Sequence, residues 1–217
     1  MIKVYFANTA LLENAEQFEK WLCQMHPARK EKIEKCRQVQ DKVRSLLAGV
    51  LLRYALEQEG LTYENLEFGI AEHGKPVLKS APDIHFSISH AGNYALCCIS
   101  DQIVGADIEV MEKRIFEKEE QLCKVAQKVL SETENKLFFN SNFEKKKQLF
   151  LKFWTRKESY SKTVGKGLGM DFSKIDTECC EGTFWSEWLE TDCFVSVYTQ
   201  KESCVGITMQ QLMSLDF

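Results

Sequence analysis

Asp107 and Glu109, in the run Val-Gly-Ala-Asp-Ile-Glu at 104–109, stand two residues apart. In an extended strand such residues face the same side, so the two carboxylates project together while Ile108 turns to the core. Paired carboxylates repel unless something positive lies between them. A hard cation such as Mg2+ suits, because it is held by one or two carboxylates and completes its shell with water and phosphate oxygens. The same spacing also fits the solvated face of an edge strand. A second group lies at 153–168, Phe-Trp-Thr-Arg-Lys-Glu-Ser-Tyr-Ser-Lys-Thr-Val-Gly-Lys-Gly-Leu. On a helix, Trp154, Glu158 and Lys162 fall at i, i+4 and i+8, so an acid and a base share one face beside an aromatic. Phe150, Phe153 and Trp154 mark the apolar side, which puts Glu158 and Lys162 at the edge of buried surface. The plain alternative is a surface Glu–Lys pair worth about 0.3–0.5 kcal/mol.

A third group is Phe-Ser-Ile-Ser-His at 86–90, followed by Ala-Gly-Asn. Ser87, Ser89 and His90 offer hydroxyl and imidazole groups beside a turn. No Gly-x-Ser-x-Gly elbow surrounds these serines and no orienting carboxylate is identifiable, so the group suits phosphate binding better than a hydrolase triad. His73-Gly74-Lys75-Pro76 adds a cation on a tight turn.

The net charge of −4 is too small for wholesale nucleic-acid or membrane binding. It conceals two basic windows: residues 26–53 carry eight Lys/Arg against three Asp/Glu, and residues 142–166 carry eight against two. Each window alone suits a solvated helix face. Brought together by folding, they would make a site for a small polyanion.

These groups need elements to hold them. Residues 2–7 read as an opening strand and Glu13–Cys23 as an amphipathic helix; Pro27 then interrupts. Val43, Leu46, Leu47, Val50, Leu51, Tyr54 and Ala55 form the stripe of a core-packed helix that Gly60 ends. Strands are expected at 66–70, 84–88, 94–99 and 103–110, helices at 115–130 and 146–163, and further strands at 183–189, 193–198 and 204–209. Helices and antiparallel-looking strands in each half predict an α+β protein of two similar-sized lobes, divided as 1–103 and 104–217. At 217 residues, 44% hydrophobic and 28% charged, the chain has the composition of a folded protein rather than a disordered or coiled-coil one.

No apolar run approaches the ~20 residues of a membrane span, and Met-Ile-Lys-Val-Tyr-Phe lacks the features of a signal peptide. A cytoplasmic location is the expectation. The nine scattered cysteines, with no Cys-x-x-Cys, read as reduced thiols.

In this order the motifs resemble the 4′-phosphopantetheinyl transferases of the longer, monomeric, surfactin-synthetase-activating class. The resemblance runs from about Pro27 to Leu168: a basic segment with Arg-Ser-Leu-Leu at 44–47, the Gly-Lys-Pro turn, Phe-Ser-Ile-Ser-His-Ala-Gly, Gly-Ala-Asp-Ile-Glu, and Trp-Thr-Arg-Lys-Glu-Ser-Tyr-Ser-Lys with Gly-Lys-Gly-Leu. The departures are Ala106 for the usual Ile and Ala91 for a common Ser. The resemblance implies a pseudo-twofold pair of lobes with the active site between them. It implies Mg2+-dependent transfer of the phosphopantetheine arm of coenzyme A to a serine of an apo acyl or peptidyl carrier protein, with release of adenosine 3′,5′-bisphosphate. By the same resemblance Asp107, Glu109 and Glu158 hold the metal, Glu158 helps deprotonate the serine, and Lys162 balances charge on the leaving phosphate. Arg29, Lys32, Arg44 and Ser45 lie near the 3′-phosphate, while His73, Gly74, Lys75, Pro76, Ser89 and His90 line the nucleotide and pyrophosphate. Met111 to Phe116 faces the carrier, although Ile115 and Phe116 fit a core-facing helix start equally. A Mg2+-dependent nucleotide phosphohydrolase and a non-catalytic anion-binding protein remain the alternatives.

Overall fold

A helix that is apolar on every side has to be surrounded by protein, and residues 46–52 form such a stretch: all seven are buried. They belong to α3 (Val39–Gln58), which stops before Gly60 at φ 77°. The computed structural model describes residues 1–71, 74–111, 114–165, 169–200 and 206–217. The chain divides into two compact units: Met1–Ile70, Pro76–Ile103 and Val205–Phe217 form one, and Ala71–Lys75 with Val104–Cys204 the other.

In the first unit α3 packs against a four-stranded sheet ordered β4 (His85–Ala91), β5 (Tyr94–Ser100), β1 (Ile2–Asn8), β9 (Ile207–Gln211). β4 and β1 run antiparallel to β5, and β9 runs parallel to β1 with Ile2 opposite Ile207. Leu46, Leu47, Val50, Leu51 and Leu56 meet Cys97 and Ile99 in the core. α1 (Ala15–Cys23) and α2 (Pro27–Glu34) pack on α3, and β2 (Phe68–Ile70) pairs with β3 (Pro76–Leu78).

In the second unit β6 (Val104–Val110), β8 (Cys193–Thr199) and β7 (Thr183–Trp188) form an antiparallel sheet in that order. α6 (Phe143–Val164) lies on it, joined by α4 (Glu119–Val129) and α5 (Glu132–Phe139). Phe116, Leu122, Phe138, Phe150, Phe153 and Phe194 are core residues there. The protein is thus α+β, with mostly antiparallel strands and helices in each unit.

Three local expectations change. Pro27 does not interrupt a helix but starts one, at the first position of α2, where its missing N–H costs nothing. The stretch 115–130 splits into a 3-10 turn at Arg114–Phe116 and α4, and α5 follows as a separate helix. Its start is written in the sequence as Ser131-x-x-Glu134, a capping box in which each side chain bonds the other's backbone N–H. The final strand, expected within a second lobe of 104–217, pairs with β1 of the first unit, because β1 had an open edge to fill. Among the described residues no helix is long and apolar enough to cross a membrane and no cysteine forms a disulfide.

Candidate active site

The period of two puts Gly105, Asp107 and Glu109 on one face of β6, and that face turns toward α6. A Cβ at Gly105 would lie 2.0 Å from the Ser159 carbonyl oxygen and 2.4 Å from Thr163 Oγ1, so only glycine lets helix and strand approach this closely. Two residues on, Lys162 Nζ donates to Asp107 Oδ1 at 2.7 Å and to the Ala106 carbonyl at 3.1 Å. Two further, Trp154 Nε1 donates to Glu109 Oε1 at 3.1 Å. Strand and helix therefore meet at three successive points. Glu158 stands one turn from Trp154 and one from Lys162 on the same side of α6, which places it on this seam.

The seam is buried for a charged site. Asp107 is 5% exposed, while Glu109, Glu158 and Lys162 are half-buried. Asp107 sits opposite Ser196 on β8, and Ser196 opposite Ser186 on β7. Ser196 Oγ is 2.8 Å from Thr155 Oγ1 of α6 and 3.1 Å from Ser186 Oγ, and Ser186 accepts from Arg156 Nε at 3.1 Å. A row of hydroxyls thus underlies the helix. Lys75 brings a second ammonium: its Nζ donates to the carbonyls of Val104, at 3.2 Å, and Lys162, at 2.8 Å.

Asp107, Glu109 and Glu158 supply only hard oxygen donors, the set that suits Mg2+ rather than a thiophilic metal. Among the described residues no three acidic, His or Cys side chains are already gathered into a metal cluster. Asp107 is instead neutralised by Lys162. The donor chemistry fits the ion.

Of the remaining expected residues, Arg29, Lys32, Arg44, Ser45, Pro76, Ser89 and His90 belong to the first unit and Gly74 to the second. Arg29 donates to the Ser45 carbonyl at 2.6 Å, and burial pulls its guanidinium below its usual pKa. Arg44 reaches the Gly92 carbonyl at 3.0 Å, on the turn that follows His90, and also bonds Asp41. Ser45 Oγ, Arg29 Nε and Arg44 Nε are buried without a hydrogen-bond partner, a condition that a bound anion relieves. A cleft of about 220 Å³ opens beside Arg44, lined also by Thr9, Val39, Gly92 and Asn93. Lys32 is exposed on α2. Ser89 is half-buried and His90 exposed near the end of β4. Gly74 and Pro76 are exposed, Gly74 at φ 86°.

His73 and Lys166 to Leu168 lie outside the described residues, as do Glu112 and Lys113 of the expected carrier-facing segment. Phe116, in that segment, is a core residue packed edge-on to Phe150. Ile115 and Phe116 line an apolar cleft of about 140 Å³ with Glu109 and Trp154.

Sequence reasoning missed Gly105 as the residue that admits the helix. It also missed Lys157 and Glu134, both fully buried and 2.6 Å apart. The Ser131-x-x-Glu134 spacing is a local signal that could have flagged Glu134 as a helix-start residue; nothing local points Lys157 inward.

Residues 103–208 match the family described as the 4′-phosphopantetheinyl transferase superfamily, and residues 13–102 match 4′-phosphopantetheinyl transferase, N-terminal. A 4′-phosphopantetheinyl transferase of Bacillus subtilis is 30% identical over 179 residues, which cover 79% of this chain and 77% of that one. Transferase Sfp of Bacillus subtilis (strain 168) is 30% identical over 156 residues, 71% and 66% of the two chains. Transferase gsp of Aneurinibacillus migulanus is 33% identical over 165 residues, 76% and 62%.

Proposed function

This chain belongs to the 4′-phosphopantetheinyl transferase superfamily and is an enzyme of that kind, and on that footing we propose that it transfers the 4′-phosphopantetheine group of coenzyme A to a serine hydroxyl of an apo acyl or peptidyl carrier protein. Adenosine 3′,5′-bisphosphate leaves, and the enzyme acts as a cytoplasmic monomer. The observation that carries the reading is the β6–α6 seam, where Trp154 holds Glu109 and Lys162 holds Asp107 on either side of Glu158.

Phosphoryl transfer asks a protein for positioning and charge stabilisation more than for a covalent nucleophile. Asp107, Glu109 and Glu158 would hold Mg2+, which when bound neutralises the pyrophosphate of coenzyme A. A Glu158 carboxylate oxygen takes the proton of the serine hydroxyl, directly or through water. The serine oxygen forms its bond to phosphorus as the pyrophosphate bridge breaks, and the departing phosphate carries the electron pair. The Lys162 ammonium offsets that negative charge, and Lys75 adds to the local positive field. The buried polar atoms of Ser45, Arg29 and Arg44 suit the 3′-phosphate. Ser89 and His90 supply further donors for the nucleotide phosphates.

Incubation with coenzyme A, Mg2+ and a panel of apo carrier proteins, followed by intact-protein mass measurement, tests this. A mass gain of one phosphopantetheine group on a carrier is expected. Nucleotide products with no labelled carrier would indicate a phosphohydrolase and overturn the reading.

A further inference from the structure

Lys157 and Glu134 are each 0% exposed and their charged groups lie 2.6 Å apart. Every donor and acceptor of the pair is used. Lys157 Nζ donates to Glu134 Oε2, to the Phe172 carbonyl at 2.9 Å and to the Ile175 carbonyl. Those are the three bonds an ammonium can make. Glu134 Oε1 accepts from Thr177 N at 3.0 Å and Thr177 Oγ1 at 2.7 Å, and Oε2 accepts from Ser131 N at 2.9 Å. A buried ion pair of this kind is no more stabilising than a well-packed apolar pair of the same volume. What it adds is direction, since each bond is satisfied at one orientation only.

The direction matters because of where Lys157 sits. It lies about 160° around α6 from Thr155, and Thr155 bonds Ser196 in the sheet below. Polar bonds therefore grip the helix on opposite sides, one set to the sheet and one to α5 and residues 172–177. A continuous line of contact leads onward to the carboxylates. Lys157 holds the Phe172 carbonyl, the Phe172 ring meets Trp154 edge-on at 5.5 Å and 71°, and the Trp154 indole donates to Glu109.

We propose that Glu134 and Lys157 are positioning residues for the transfer reaction: the pair sets the roll of α6 and the place of Phe172, and so keeps Trp154 on Glu109 and Glu158 on the β6 seam. The proposal rests on the transferase reading for what the seam does, and on the contacts above for how it is held. Loss of the pair lets α6 roll by a fraction of a turn. The carboxylates then lose their mutual register while the fold survives.

The test compares the full chain with the double variant Glu134→Gln/Lys157→Met, which removes both charges and roughly conserves side-chain size. Transfer to an apo carrier is measured across Mg2+ concentration, Mn2+ binding in the presence of coenzyme A is read by electron paramagnetic resonance, and melting is recorded. Groups that orient metal ligands cost about 10–100-fold in metal affinity or activity when removed. The double variant is expected to keep a cooperative melt and its coenzyme A KM, while kcat falls and the Mg2+ midpoint and Mn2+ Kd rise, each by about tenfold or more. A merely structural pair would lower the melting temperature and leave the Mg2+ midpoint and Mn2+ Kd unchanged; that result overturns the proposal. Should the double variant fail to fold, Thr177→Val decides, since it removes only one bond to Glu134: a rise in Mn2+ Kd supports the positioning role and an unchanged Kd rejects it. If the unaltered enzyme labels no carrier, the functional reading fails, and the Mn2+ titration still judges the pair.

Discussion

The two long helices bury themselves by opposite means. α3 is enclosed by Leu46, Leu47, Val50, Leu51 and Leu56, whereas α6 is enclosed largely through polar residues: Thr155, Lys157, Ser159, Ser161 and Thr163 are all buried. Apolar packing is non-directional and holds a helix in place by volume. Buried polar bonds hold it at one rotation and one axial position, and leaving any of them unmade is costly. The helix with the proposed catalytic Glu158 and Lys162 is the one held by direction. The helix that anchors the first unit's sheet is held by volume.

The comparison breaks first at the carboxylates. Asp107→Asn is expected to lower kcat by about a hundred- to a thousandfold, on the scale of removing a preorganised electrostatic group. Circular dichroism and melting should stay close to those of the parent. Full activity of the variant in carrier mass-gain assays would remove Asp107 from the reaction.

Next come the two glycines on which each helix turns. Gly105→Ala forces a Cβ against the Ser159 backbone carbonyl, which cannot yield without moving α6. Loss of at least a hundredfold in kcat is expected, with destabilisation of about 1–3 kcal/mol from overpacking. Gly49→Ala in α3 meets the side-chain atoms Met25 Sδ at 2.9 Å and Arg29 Nε at 3.2 Å. Those atoms can shift, and alanine gains about 1 kcal/mol of helix propensity, so near-neutral stability and an unchanged kcat are expected, with any loss confined to the coenzyme A KM through Arg29. Equal losses in kinetics and in chemical denaturation would erase the contrast.

Smaller single-residue changes sharpen it. Leu51→Ala should cost about 2–5 kcal/mol and leave kcat per folded molecule intact. Thr155→Val should cost only about 1 kcal/mol yet reduce kcat several-fold, because it frees α6 from Ser196. Urea denaturation paired with single-turnover kinetics separates the two, and a Leu51 variant with impaired kcat would contradict the division of labour.

The least effect is expected from exposed pairs. Lys124 and Lys136 hold the carboxyls of Glu120 and Glu132 below their usual 4.5, chiefly through hydrogen bonding. A lowered folded-state value means their small stabilisation is present above about pH 4.5 and lost as pH falls through the folded value. It should also fade in high salt. The buried Glu134–Lys157 pair should resist the same salt. Melting curves across salt for Glu120→Gln and Glu132→Gln, beside the double variant of the buried pair, check this, and a salt-insensitive effect at the surface pairs would contradict it.

Asp107 with Glu109, and Trp154 with Glu158 and Lys162, were legible as shared faces because those relations depend only on the local period of a strand or a helix. The strands at 84–88, 94–99 and 103–110 and the helix containing Leu46 to Ala55 were legible for the same reason. So was the transferase family, since its motifs are contiguous. Charge pattern misled at Lys157, which counts as one of eight basic residues in its window and reads as solvated. Pro27 misled because its role depends on where the helix begins.

What the sequence alone determined, then, is the inventory of chemistry and the faces on which neighbouring residues stand. Tertiary structure decided which faces meet. That β6 turns its carboxylate side to α6, that Gly105 makes room for the approach, that Lys157 finds Glu134 twenty-three residues away, and that the last strand joins the first all depend on contacts between distant segments. The free energy of those contacts comes from desolvation and bond satisfaction in the assembled core, which no local period in the chain encodes.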